Sequence, residues 1–146
     1  MKVVNRRAFH DFEILEKFEA GVSLTGPEVK SVKTGHLDLA GSFVKIAGSE
    51  PYLINAKIYP YPFARQEDYD MRRTRKLLLH KRQALALKTK MSQSSLTIVP
   101  LACYTTRGLV KLELALVRGK KKYDRREEIK KRDLEREVGR EVRGKT

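Results

Sequence analysis

The sequence predicts a mainly β domain, a small and partly closed antiparallel barrel interrupted by helices and followed by a charged tail. Three observations predict it. Short runs of alternating apolar residues lie between turn signals, no βαβ unit repeats, and apolar content falls abruptly after Val117. The division is therefore a barrel domain over residues 1–117 and a basic tail over residues 118–146.

Phe12 to Phe18 and Val22 to Leu24 alternate like strands, and Ala20-Gly21 is read as a break between them. Thr25-Gly26-Pro27-Glu28 then opens a short helix. Thr25 caps it, Glu28 reaches back three residues, and Pro27 fits the first turn, where its missing N–H costs nothing. Val29 and Val32 give that helix an apolar edge, and Gly35 ends it. Ser42–Ile46 and Tyr52–Ile58 flank a turn over residues 47–51, which predicts a hairpin. Residues 59–71 hold two prolines and several aromatics without a period and read as an exposed loop. A second helix is expected from Arg72 or Arg73, because Leu77, Ala84 and Met91 recur every seven residues beside Leu78 and Leu85. Leu96–Tyr104 and Leu109–Val117 form the clearest strand pair. Val110, Leu112, Leu114 and Leu116 alternate with Lys111, Glu113 and Ala115, one face in and one largely out. About six antiparallel strands and two helices suggest an OB-fold-like barrel, a shape that often carries oligonucleotides.

Of 146 residues, 32 are Lys or Arg and 18 are Asp or Glu, a net charge of +14. The tail, with thirteen basic and seven acidic residues, holds +6 of this, so the preceding 117 residues are also basic at +8. A sequence pI near 10.0 points to nucleic acid before anionic membrane. No long apolar run or lipidation signal supports a membrane partner. No signal peptide opens the chain, and the single cysteine, Cys103, sits in an apolar run as an inert thiol. Both fit a reducing cytoplasm. The tail has only five apolar residues, too few to offset the entropy of ordering it alone. Its Lys, Arg and Glu favour helix, with Glu127–Lys131 and Glu128–Arg132 in the favourable i, i+4 order. It is expected to be disordered alone and helical on a polyanion.

Catalytic and metal constellations are not evident. His10, His36 and His80 lie far apart without cysteine partners, so no metal spacing exists and no cofactor is expected. Gly26-Pro27-Glu28-Val29-Lys30-Ser31 lacks the second glycine of a phosphate-binding loop, and Pro27 removes a needed N–H. Basic clusters are what the chain does carry. Asn5-Arg6-Arg7 opens the domain, and six of the eleven residues from Arg72 to Arg82 are Lys or Arg with no acid among them. Such unopposed charge suits phosphate neutralisation. Tyr59, Tyr61, Phe63 and Tyr69 just upstream offer rings for stacking on unpaired RNA bases.

Asn5-Arg6-Arg7-Ala8, Glu19-Ala20-Gly21, Gly26 to Ser31, RTRKLLLHKR from Arg73 to Arg82, and GKKKYDRREEIKKRD from Gly119 to Asp133 together resemble the SsrA-binding proteins, also called small protein B. The blocks keep the family's order and spacing over nearly the whole chain. The resemblance implies a bacterial protein that binds the tRNA-like part of transfer-messenger RNA and delivers it to stalled ribosomes, a process called trans-translation. It implies a barrel standing in for missing tRNA arms and a tail entering the vacant mRNA path of the small subunit. Asn5, Glu19 and Leu78 match positions tied to transfer-messenger RNA. With the neighbouring basic clusters, the expected RNA contacts are Asn5, Arg6, Arg7, Glu19, Lys30, Arg73, Arg75, Lys76, Leu78, His80 and Lys81. Tyr123, Asp124, Arg125 and Arg126 match the decoding-centre segment. Together with Lys120, Lys121, Lys122, Lys130, Lys131 and Arg132 they form the expected ribosome contacts, on small-subunit rRNA. Met71-Arg72 stands where the family commonly has Asp-Pro, and Gly139 and Gly144 interrupt the tail.

The reading is thus a non-enzymatic, monomeric delivery factor. The alternative is a basic ribosomal or rRNA-binding protein with a tail anchor. A nuclease with a basic groove is a third reading that lacks clustered carboxylates.

Overall fold

In the computed structural model of the chain, the residues described are 1–64 and 67–119. They run through β1 (Lys2–Val4), α1 (Arg6–Asp11), β2 (Phe12–Val22), α2 (Gly26–Lys33), β3 (Leu37–Asp38), β4 (Phe43–Ala47), β5 (Glu50–Ile54), β6 (Lys57–Ile58), β7 (Arg75–Leu78), α3 (Lys81–Ser94), β8 (Thr97–Thr106) and β9 (Leu109–Gly119). Every pairing is antiparallel. Following the bonds from β8 through β4, β5, β7 and β2 to β9 leads back to β8, so six strands close a ring. β1 is added outside on β8, and β3 with β6 forms a separate ladder. The expected small antiparallel barrel is what the chain builds. Leu77, Ile98, Leu112, Leu114 and Leu116 fill it, with Val32 of α2 and Leu87 of α3 packed in. Each such buried side chain contributes about 1.5–3 kcal/mol.

The strongest local signals carry through. Thr25 Oγ1 accepts from the Glu28 N–H at 3.3 Å while Glu28 Oε1 accepts from the Thr25 N–H at 3.0 Å, the reciprocal cap expected for α2. The β8–β9 hairpin forms with a tighter turn than expected. Only Arg107 and Gly108 separate Thr106 from Leu109, with φ of +52° and +78°. Two residues with positive φ match the twist of the flanking strands, and Gly108 adopts that geometry at no steric cost. Cys103 is buried on β8, and burial pushes its thiol up to about 12.

Several expectations are corrected. β2 runs unbroken through Ala20-Gly21, with Gly21 opposite Lys111 on β9 and Leu78 on β7. A Cβ on Gly21 would lie 3.2 Å from both Cβ and Cδ1 of Leu78, so the glycine admits a neighbouring side chain rather than ending a strand. The second helix begins at Lys81, not near Arg72 or Arg73. Residues 75–78 are a strand that fills the gap between β5 and β2, and ring closure outweighs a seven-residue spacing that spans two elements. Ile58 belongs to β6, so the second strand of the β4–β5 hairpin stops at Ile54.

Helix α1 has no counterpart in the sequence reading, since six residues are too few to show a period. It explains another miss. Ala115, assigned to the outward face, is buried with Ala8, Val99, Leu101 and Val117 in a second apolar cluster. β9 also continues two residues past Val117. Gly119 pairs with Phe12, and Arg118 Nη2 lies 3.1 Å from Glu13 Oε2. Among the described residues no helix is long and apolar enough to cross a membrane.

Candidate nucleic-acid interface

Strand β7 sorts the basic run by alternation. Arg75 and Leu77 face inward, while Lys76 and Leu78 face outward. Arg75 is fully buried and reaches Glu28 of α2, with Nε 2.9 Å and Nη2 2.6 Å from Glu28 Oε2. Its remaining donors meet the carbonyls of Ala56 at 2.7 Å and Met71 at 3.0 Å. Arg73, partly exposed, donates to both Glu28 oxygens, through Nε to Oε2 at 3.1 Å and through Nη2 to Oε1. Tyr69 completes the set: its hydroxyl accepts from Arg75 Nη2 at 3.0 Å, and its one proton lies within reach of Glu28 Oε2 at 3.0 Å and the Ile58 carbonyl at 2.9 Å. Burial alone would raise Glu28's pKa. Bonds from Arg73, the Thr25 N–H and Arg75, with Arg75's charge, outweigh it and hold the carboxyl at about 2. Burial and the Glu28 charge push the Tyr69 phenol upward. Arg75, expected to meet phosphate, is therefore a structural residue whose donors are taken inside the fold.

Asn5 is corrected in the same way. It is buried, its Nδ2 donates to the carbonyls of Leu39 at 3.2 Å and Pro100 at 2.8 Å, and its Oδ1 caps α1 through the Ala8 N–H at 3.3 Å. Its amide positions α1 and has no free donor for a nucleotide.

The outward row opens onto a groove of about 600 Å³ between β2, β7, β9 and the first turn of α3. Glu19, Lys76, Leu78, His80 and Lys81 come together there, joined by Gly21, Gln83 and Lys111. Leu78 is 57 % exposed, an apolar surface on which a base could lie, made possible by the bare Gly21 beside it. His80 occupies the N-cap of α3 but makes no capping bond with its side chain, and no acid sits in that first turn. The helix start thus adds free N–H groups to a cationic wall, a combination that suits phosphate. Lys76 lies 3.0 Å from Glu50 Oε2, which raises its pKa. Glu19 is the carboxylate opposite that wall. The Tyr104 hydroxyl donates to its Oε2, and burial followed by this bond pushes the Tyr104 phenol to about 12. A carboxylate so held can accept from a base amino or imino group, which a phosphate cannot offer.

The other expected residues lie elsewhere. Arg6 and Arg7 are exposed on α1, with Arg7 Nε 3.4 Å from Asp11, and Lys30 is exposed on α2. Lys120, Lys121, Lys122, Tyr123, Asp124, Arg125, Arg126, Lys130, Lys131 and Arg132 lie outside the described residues. Gly21 and Lys111 were missed as contributors to the groove, and Tyr104 as the residue that holds Glu19. Alternation already placed Lys111 outward, but the pairings that bring Gly21 to Leu78 and Tyr104 near Glu19 exist only once strand register is known.

Known proteins resemble this chain over most of its length. The family model described as SmpB protein matches residues 2–144. The SsrA-binding protein of Chlorobium chlorochromatii is 49% identical over 137 residues, covering 93% of this chain and 87% of the relative. That of Sulfurihydrogenibium sp. is 48% identical over 141 residues, with 97% and 93% covered. That of Persephonella marina is 46% identical over 147 residues, with 99% and 97% covered. A solved structure described as "tmRNA-SmpB: a journey to the center of the bacterial ribosome" superposes with a TM-score of 0.68 at 48% identity, over 82% of this chain and 84% of that one.

Proposed function

The chain belongs to the SmpB protein family, and on that premise we propose that it binds the tRNA-like part of transfer-messenger RNA and delivers it to stalled bacterial ribosomes. It acts without catalysis, in the cytoplasm where ribosomes work. The barrel groove holds the RNA: Leu78 supports an unstacked base, Lys76, Lys81 and Lys111 neutralise phosphate, His80 offers a ring hydrogen bond, and Glu19 accepts from a base edge. The basic tail addresses the ribosome, with Tyr123 stacking on an rRNA base and Arg125 and Arg126 on phosphates. The observation that carries the barrel's part is the exposed Leu78 set among cations beside a carboxylate.

Sequencing the RNA retained on purified protein after a salt wash tests this. Transfer-messenger RNA is the expected species, whereas rRNA fragments alone would favour a ribosomal structural protein. Cutting after Gly119 keeps every strand of the barrel and should preserve RNA binding while abolishing peptide tagging on stalled ribosomes.

A further inference from the structure

The groove leaves a second surface unexplained, on α2 and the segment after β6. Phe63 is 86 % exposed, the most exposed of the large apolar side chains among the described residues. Its ring meets Tyr61 edge-on, with centroids 5.4 Å apart and planes at 66°. Lys30 Nζ lies 5.5 Å from the Tyr61 centroid, and Lys57 Nζ lies 4.8 Å from that of Tyr59. Neither ammonium pairs with a carboxylate among the described residues. The segment starts from an anchored point, since the Tyr59 N–H donates to the His36 carbonyl at 3.0 Å, and it turns on itself where the Ala64 N–H donates to the Tyr61 carbonyl at 3.1 Å. Three aromatic rings held at a basic surface suit a ligand that alternates flat π-faces with negative charge.

We propose that Lys30, Lys57, Tyr59, Tyr61 and Phe63 form a second RNA site, which stacks unpaired nucleotides of the same transfer-messenger RNA that the groove holds. This rests on the proposed function. Continuity with the groove is what selects that RNA. The buried Glu28–Arg75 pair clamps α2, which carries Lys30, to β7, which carries Leu78. Arg75 to Leu78 spans about 10 Å at 3.3 Å per strand residue, and Lys30 follows Glu28 by about 3 Å of helical rise. The pair thereby ties the helix that carries Lys30 to the strand that carries Leu78 within one barrel. An apolar protein partner would gain nothing from two unpaired lysines.

The test uses the full chain and transfer-messenger RNA transcribed in vitro, without ribosomes. Tyr61→Ala with Phe63→Ala should weaken binding about five- to a hundredfold and leave its salt dependence unchanged. Phe63→Trp should retain affinity, because a larger ring still stacks. Lys30→Ala with Lys57→Ala should instead flatten the salt slope by about two. Wild-type affinity in the double aromatic variant, while Leu78→Asp binds weakly, would overturn the second site. So would unchanged free-RNA binding by a double variant that, in a parallel assay with stalled ribosomes, no longer associates with them, which would assign the patch to the ribosome. If the wild-type chain itself fails to bind the RNA, the proposed function fails instead.

Discussion

The two faces of β7 carry similar residues to opposite fates. On the inner face Arg75 and Leu77 are sealed in the barrel, and the arginine serves Glu28. On the outer face Leu78 stands exposed at the groove and Lys76 lines it while paired with Glu50, so both are proposed rather than buried contacts for RNA. Composition cannot separate these roles, because both faces read as basic followed by leucine. Strand periodicity does, since each one-residue step reverses the face. A basic motif in a strand is therefore half fold and half function.

The comparison breaks most visibly on the inner side. Glu28→Ala should leave Arg75 buried without its counter-charge and cost about 3–5 kcal/mol of stability, measured by urea unfolding. Acid should act on the same pair. Glu28 titrates at about 2 in the folded chain against an ordinary 4.5, so the stability it contributes is full above 4.5 and lost as pH falls toward 2. Unfolding midpoints followed between pH 6 and 2 should fall in the wild type, and Glu28→Gln should lack that part of the slope.

The outer side should respond in affinity rather than stability. Leu78→Asp places a negative charge where a base and phosphates are expected. It should weaken transfer-messenger RNA binding on the order of tenfold or more while changing stability by only about 0.5 kcal/mol, as surface substitutions do. A large loss of stability would show that Leu78 belongs with Leu77. Tyr104→Phe removes the hydroxyl that holds Glu19 and should lower affinity about two- to tenfold, the range of one hydrogen bond. Combining it with Glu19→Gln should add little further loss, because the two act as a unit. Gly21→Ala should have the smallest effect. Its new Cβ meets Leu78 at 3.2 Å, and a slight rotation of that exposed side chain accommodates it with a few-fold change in affinity.

The barrel was legible where signals were local. The Thr25–Glu28 cap and the alternation of Leu109 to Val117 need no partner to be read. What failed depended on distant partners. Arg75 looked like a phosphate ligand because Glu28, 47 residues away, is invisible to any window around it. Asn5 looked free because the carbonyl it bonds at Pro100 lies 95 residues on. Gly21 looked like a breaker because its neighbour Leu78 comes from another strand. For the candidate groove, the family pattern supplied Glu19 and Leu78, the basic run supplied Lys76, His80 and Lys81, alternation supplied the outward Lys111, and register supplied Gly21 and the Tyr104 that holds Glu19.

Cys103 carries a consequence of a different kind. It is the chain's one thiol, 1 % exposed on a strand paired along both edges, with its pKa held at about 12. Thiolate is the reactive form, so thiol-directed oxidants and disulfides find almost nothing to attack at Cys103 while the barrel stays shut. Oxidants that modify exposed thiols elsewhere in a stressed cell should leave this one intact. Any labelling that does occur counts the moments when the barrel opens.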